Sequence, residues 1–110
     1  MKSKFKVQWT NSAQMDLVEI IEHIAREAPK TARKCFEKIK KESERLKTLP
    51  QQGRYVPELE KQNLLLYREL VVEPWRLIYK VFGQRVFVLA VFDSRQNIED
   101  ILLKKLLRNR

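Results

Sequence analysis

Arg68, Arg76 and Arg95, together with Lys80, stand among aromatic residues in the second half of this 110-residue chain. Arg76 comes two residues after Pro74, inside the run Trp75-Arg76-Leu77-Ile78-Tyr79-Lys80-Val81-Phe82. Arg95 follows the apolar stretch that ends at Phe92-Asp93. A guanidinium at such a point can grip a phosphate or carboxylate through two parallel hydrogen bonds. Trp75, Tyr67 and Tyr79 offer rings on which bases can stack. A structural role fits the same residues, with Arg76 and Arg95 pairing with Glu69, Glu73 or Asp93 to hold the fold. Spacing alone leaves both roles open, and it assigns no catalytic residue.

Other chemistries have little to work with. The chain has one histidine, His23, and one cysteine, Cys35, too few for a structural zinc site of the usual kind. The acidic residues are dispersed, so no metal is expected. A hydrolytic triad would have only His23 as its base, and His23 lies between Ile21 and Ile24 in a helical pattern. A lone cysteine beside Phe36 reads as a small hydrophobe. With two glycines, Gly53 and Gly83, there is no phosphate-cradling loop, and no cofactor is expected. Glu69 and Glu73 could form a carboxylate pair, although charge pairing at a sheet edge explains them more simply.

Length fits one domain, residues 1–110, and 44% apolar residues suffice for one core. A single cysteine excludes an internal disulfide. No apolar run of about 18 residues is present to span a bilayer, and Met1-Lys2-Ser3-Lys4 is not followed by a signal-peptide core. A soluble cytoplasmic protein is therefore expected. Lys and Arg number 23 against 14 Asp and Glu, a net charge of +9 spread over both halves. Such a field attracts polyanions or acidic proteins, or serves solubility alone.

The elements that must position these residues follow from periodicity. Phe5, Val7 and Trp9 alternate with polar residues over 4–10, which predicts a half-buried strand. Thr10, Asn11 and Ser12 offer N-cap oxygens, Asn11 with Gln14 fitting a capping box, and Ala13, Leu17, Ile20, Ile21, Ile24 and Ala28 form the apolar face of a helix. Pro29 interrupts the chain, and Thr31 offers a new cap. Ala32, Phe36, Ile39, Ser43, Leu46 and Leu49 then mark a second helix, antiparallel to the first. Residues 50–63 read as a loop, long enough to be functional or to carry a short buried anchor at Tyr55, Val56 or Leu59. Strands are expected over 64–72, 75–82 and 85–92, the last two joined by Gly83-Gln84 as a type II′ hairpin. The run 85–92 is apolar enough to be covered on both faces. A final helix carries Ile98, Ile101, Leu102 and Leu106, with Leu103 or Leu107. The result is an α+β protein of order β-α-α-β-β-β-α. A helical hairpin packs on a four-stranded, mainly antiparallel sheet, with a C-terminal helix.

Tyr67-Arg68-Glu69-Leu70, Trp75-Arg76-Leu77-Ile78-Tyr79 and Val88-Leu89-Ala90-Val91-Phe92-Asp93-Ser94-Arg95-Gln96-Asn97, with the opening Val7-Gln8-Trp9-Thr10, resemble the RelE/ParE superfamily of bacterial type II toxins. The resemblance covers nearly the whole chain. It implies a cognate antitoxin partner in a hetero-oligomer, and a part in plasmid stabilisation. One branch of the superfamily cleaves mRNA on the ribosome without a metal. The other, the ParE branch, is associated with inhibition of DNA gyrase. By this resemblance Arg76 takes the place of a phosphate-clamp arginine and Arg95 that of the arginine ending the last strand. Ile101 stands where the nuclease branch has its late tyrosine, and Tyr67-Arg68-Glu69 where it has paired lysines. Isoleucine cannot transfer a proton, and Glu69 would repel a phosphate. The wording Phe92-Asp93-Ser94-Arg95 is closer to ParE. The resemblance thus favours a gyrase-binding toxin over an enzyme. Arg76, Arg95, Arg68, Lys80, Trp75 and Tyr79 are then the candidate target contacts. The alternatives are a RelE-like ribonuclease with Lys80 or Glu69 as an unusual base, and a non-toxic remnant that only binds an antitoxin.

Overall fold

The alternating opening forms β1 (Lys6–Trp9), whose last side chain, Trp9, is buried. In the computed structural model, residues 4–97, 99–101, 103 and 104 are described. Helix α1 (Asn11–Ala25) follows directly. Its cap is Thr10 rather than Asn11, because the Thr10 hydroxyl accepts the Ala13 amide at 3.1 Å. Gln14 reaches back instead to the Trp9 carbonyl (3.3 Å). Helix α2 (Pro29–Glu44) starts at the proline itself, where a missing N–H costs nothing. A 3-10 turn, Arg45–Lys47, ends it. The Phe5 amide then donates to the Lys47 carbonyl (2.8 Å), so α2 returns to the start of β1 and the two helices form the expected hairpin.

The sheet has five strands, one more than periodicity suggested. β3 (Tyr67–Val72), β4 (Trp75–Phe82) and β5 (Arg85–Asp93) form the meander. Gly83 takes φ 60 in the connection between β4 and β5, the conformation its first turn position requires. The additional strand, β2 (Arg54–Tyr55), arises inside the stretch read as a loop and pairs antiparallel with β3. Two residues are too few to show a period. What holds them is tertiary: the Gly53 amide donates to the Tyr79 hydroxyl at 2.9 Å, and Arg68 donates to the Gly53 carbonyl at 2.8 Å. A one-turn helix, α3 (Pro57–Glu60), continues the stretch, and Val56 supplies the buried anchor. The strand order is β1-β5-β4-β3-β2, with β1 parallel to β5 and the other pairs antiparallel.

The sheet is buried on both faces. On the helix side Trp9, Leu17, Ile39, Leu46, Leu77, Tyr79 and Val88 belong to one core. On the other side Val56, Ile78, Ala90 and Phe92 form a second core, covered by Leu59, Tyr67 and Ile101. A bulge in β5 makes this possible. Ile78 pairs with Ala90 but Tyr79 with Val88, so Leu89 is the extra residue. Before the bulge the even-numbered Val86 and Val88 face the helices; after it the even-numbered Ala90 and Phe92 face the second core. On α2 and the turn after it the expected Ala32, Ile39, Ser43 and Leu46 are buried, but Phe36 and Leu49 are exposed, and Cys35 packs against the core. Strand β3 begins at Tyr67, leaving Leu64, Leu65 and Leu66 exposed. Residues 99–101, 103 and 104 are helical, and the Ile101 amide donates to the Asn97 carbonyl (3.2 Å). Ile98, Leu102, Leu106 and Leu107 of the expected final helix lie outside the described residues. No helix among the described residues is long and apolar enough to cross a membrane.

A Cβ on Gly53 would stand 2.3 Å from the Glu69 carbonyl oxygen and 2.7 Å from the Tyr79 hydroxyl. Gly53→Ala is therefore expected to lower the urea unfolding midpoint, at a cost of about 1–3 kcal/mol. Tyr79→Phe, which only leaves the Gly53 amide without its acceptor, is expected to cost about 1–2 kcal/mol. An unchanged midpoint in both variants would refute the pinning of β2.

Candidate functional site

Two neighbouring constellations hold the arginines singled out by sequence. The first lies at the open end of β5. Beyond the Trp9–Val88 pair, β1 no longer accompanies β5, since the Thr10 amide donates to the Val88 carbonyl (3.1 Å) and the chain turns into α1. The Asp16 carboxylate on α1 takes over, accepting the Val91 amide at 3.1 Å. Between α1 and this strand end is a groove of about 510 Å³, lined among others by Asp16, Glu19, His23, Trp75, Asp93 and Arg95. The Trp75 indole is half-buried and donates its N–H to the Cys35 sulfur at 3.1 Å. Arg95 closes on Asp93 with two side-chain bonds, Nε–Oδ1 at 2.9 Å and Nη2–Oδ2 at 2.6 Å, and its amide adds a third at 2.8 Å. The Arg95 guanidinium hydrogen bonds hold the Asp93 carboxyl down at about 2. The Arg95 side chain is 85% exposed, so its guanidinium, although paired, still faces solvent.

The second constellation lies across the second core. Glu69 on β3 is buried and carries two arginines. Arg54 Nε reaches its Oε2 at 2.6 Å, and Arg76 reaches its Oε1 through Nε at 2.7 Å and through Nη2 as well. The outer edge of Arg76 is filled by Glu58 of α3, at 3.1 Å from Nη1 and 2.9 Å from Nη2. Phe92 lies under the guanidinium, 5.5 Å from its ring centroid. Burial opposes the charge on Arg76, but the hydrogen bonds it donates to Glu58 and Glu69 outweigh it and raise its pKa. The Arg76 hydrogen bonds pull the Glu58 carboxyl below its ordinary 4.5, against a smaller effect of burial.

The structure brings Trp75 and Arg95 to one groove, with Phe92 separating them from Arg76. It does not join the others to them. Arg68 stacks on Tyr55 at 4.3 Å and holds Gly53. Tyr79 is fully buried, so its ring is not presented for stacking, and burial pushes its hydroxyl above 10.0. Lys80 is half-buried on β4 opposite Tyr67. Arg76, at 7% exposure, is a core residue. Glu58 and Arg54 escaped sequence reasoning because they lie in a stretch without periodicity. Their signal was a charged residue on either side of the Val56 anchor. Glu69 has its partners inside the fold, while Glu73 is exposed in the turn after β3.

The chain belongs to the ParE toxin family of type II toxin–antitoxin systems, parDE, whose model matches residues 7–98. It is a toxin of the RelE/ParE superfamily. A chain from the chromosomal ParDE toxin–antitoxin system of P. aeruginosa has the same fold, with a TM-score of 0.68 at 24% identity over 81% of this chain and 95% of that one. A chain of the toxin–antitoxin complex RelBE2 from Mycobacterium tuberculosis matches with a TM-score of 0.56 at 16% identity, over 84% of this chain and 94% of that one. No curated protein sequence matches significantly.

Arg76→Ala strands a buried Glu69 and is expected to cost about 3–5 kcal/mol, read from urea unfolding, whereas Arg95→Ala is expected to leave the midpoint in place. Acid tests the Glu58 link separately. A carboxyl with a lowered native pKa stabilises the fold above its ordinary value of 4.5, and that contribution is lost as pH falls through the lower native value. Glu58→Gln is expected to be less stable at neutral pH and to show a flatter loss of stability below pH 4.5. Identical pH profiles for the two proteins would rule out the link.

Proposed function

We propose that this toxin acts by binding DNA gyrase, without cutting RNA, and that a cognate antitoxin silences it. The observation that carries this reading is the state of Arg76. The residue aligned with a phosphate clamp has its guanidinium between Glu58 and Glu69 at 7% exposure. A scissile phosphate there would meet two carboxylates and no free donor edge. Ile101, at the place of the late tyrosine, has no proton to give and packs against Phe92 and its neighbours. The fold therefore supports a binding function better than acid–base catalysis. The surface left for a target is the groove with Trp75 and Arg95.

An antitoxin partner is supported by the ParE family membership and by the +9 charge, which suits an acidic segment. Exposed Met15 and Val18 on α1 give such a segment apolar surface to cover. Gyrase and antitoxin both place the action in the cytoplasm.

The test is the purified chain on gyrase supercoiling beside a ribosome-dependent mRNA cleavage assay. Inhibited supercoiling with intact mRNA is expected. Arg95→Ala, folded by circular dichroism, is expected to need about tenfold more protein for the same inhibition, the size of a lost charged contact. Cleaved mRNA with untouched gyrase would overturn the reading, and harmless induction in cells would leave only the antitoxin-binding role.

A further inference from the structure

The most charged element of the protein lies away from both constellations. Residues 29–47, α2 and its 3-10 turn, carry eight basic and three acidic side chains, a net +5 of the chain's +9. Their arrangement is not uniform. Lys30, Lys34, Lys38, Lys41 and Arg45 recur at intervals of three or four residues, the spacing that keeps side chains on one helix face. That face is opposite Ala32, Ile39, Ser43 and Leu46, which are buried, and all five cations are exposed. Of the acidic residues of α2, exposed Glu37 falls three residues after Lys34 and four before Lys41 on this face, while Glu42 and Glu44 lie toward its sides. Among the described residues the ion pairs of this segment are Arg45–Glu42 and Lys47–Glu44, and none of the four lysines is in one. Lys40 is different, since it lies 4.7 Å over the Trp9 ring. The row spans about 22 Å at 1.5 Å per residue.

We infer that this row is a docking surface for the phosphate backbone of duplex DNA. Three features select that partner. The row is linear and strongly positive, five cations against Glu37, as a ridge of phosphates at one charge per 3.4 Å of strand favours. It contains no aromatic ring, so it lacks the stacking platform that single strands need. It also contains no apolar residue, so an amphipathic acidic peptide would find charge without an anchor. Lysine heads that bear no carboxylate release counterions from DNA without first breaking an ion pair. The contact reads no bases, because lysines on a ridge meet phosphates only. It does not depend on which target the groove at Arg95 serves.

The experiment is fluorescence anisotropy of a labelled 20-bp DNA duplex titrated with the full chain between 50 and 200 mM salt. Three proteins are compared: wild type, K30Q/K34Q/K38Q/K41Q, and a control of equal charge, K6Q/R26Q/K61Q/R85Q. Glutamine keeps helix propensity, and circular dichroism checks the fold of each. The row variant is expected to lose about 3 to 4 from the slope of log affinity against log salt, so its affinity deficit against wild type narrows about a hundredfold between 50 and 200 mM. The control is expected to keep most of the slope and of the affinity. Equal losses in the two variants would mean that net charge alone attracts DNA, and would overturn the inference. So would an unchanged row variant, or a wild type that binds an acidic peptide or a 20-bp RNA duplex more tightly than the DNA.

Discussion

The carboxylate of Glu69 is the point on which the second face of the sheet depends. A charge 1% exposed cannot stay ionised without partners, and Arg54 and Arg76 supply them from β2 and β4. Arg76 in turn is shared with Glu58, so one chain of alternating charges ties β2, β3, β4 and α3 together. Every member has a partner of opposite sign, which is the condition under which a buried ionic group is tolerated. The segment 53–60 has few residues to bury; these bonds, with Val56 and Gly53, hold it against the sheet.

A second constraint is the strand next to the parallel edge. β5 touches β1 on one side and β4 on the other, and its bulge at Leu89 turns Phe92 away from the helices. Without that extra residue Phe92 would face α1, and Arg76 would lose the ring beneath its guanidinium. The bulge also falls where β1 ends, so the strand end that carries Asp93 and Arg95 is left beside a groove. Fold and site are therefore set by the same irregularity.

Under the proposed function, these interactions are what withholds Arg76 from a phosphate. The arginine that could hold a phosphate has been drawn into the core by two glutamates. Exposed cations lie elsewhere, among them the row on the outer face of α2 and Arg95. Charge in this protein is divided into an internal part that stabilises the sheet and an external part that faces solvent.

Sequence alone determined the α+β class, the helical hairpin, the meander and the family resemblance, because these rest on periods repeated over many residues. The assignment of Trp75, Leu77, Tyr79 and Val81 to one face of β4 was legible in the same way. So was the double burial of residues 85–92, from an apolar run too continuous for a one-sided strand. Which role Arg76 plays was not legible. Its decisive partner, Glu58, is 18 residues away in a stretch with no period, and Arg54 reaches Glu69 across 15. The fifth strand and the exposure of Phe36 were hidden for the same reason. Pairing across a sheet, and the side of a helix that a neighbour leaves uncovered, are set by where distant segments dock, and no local spacing encodes that.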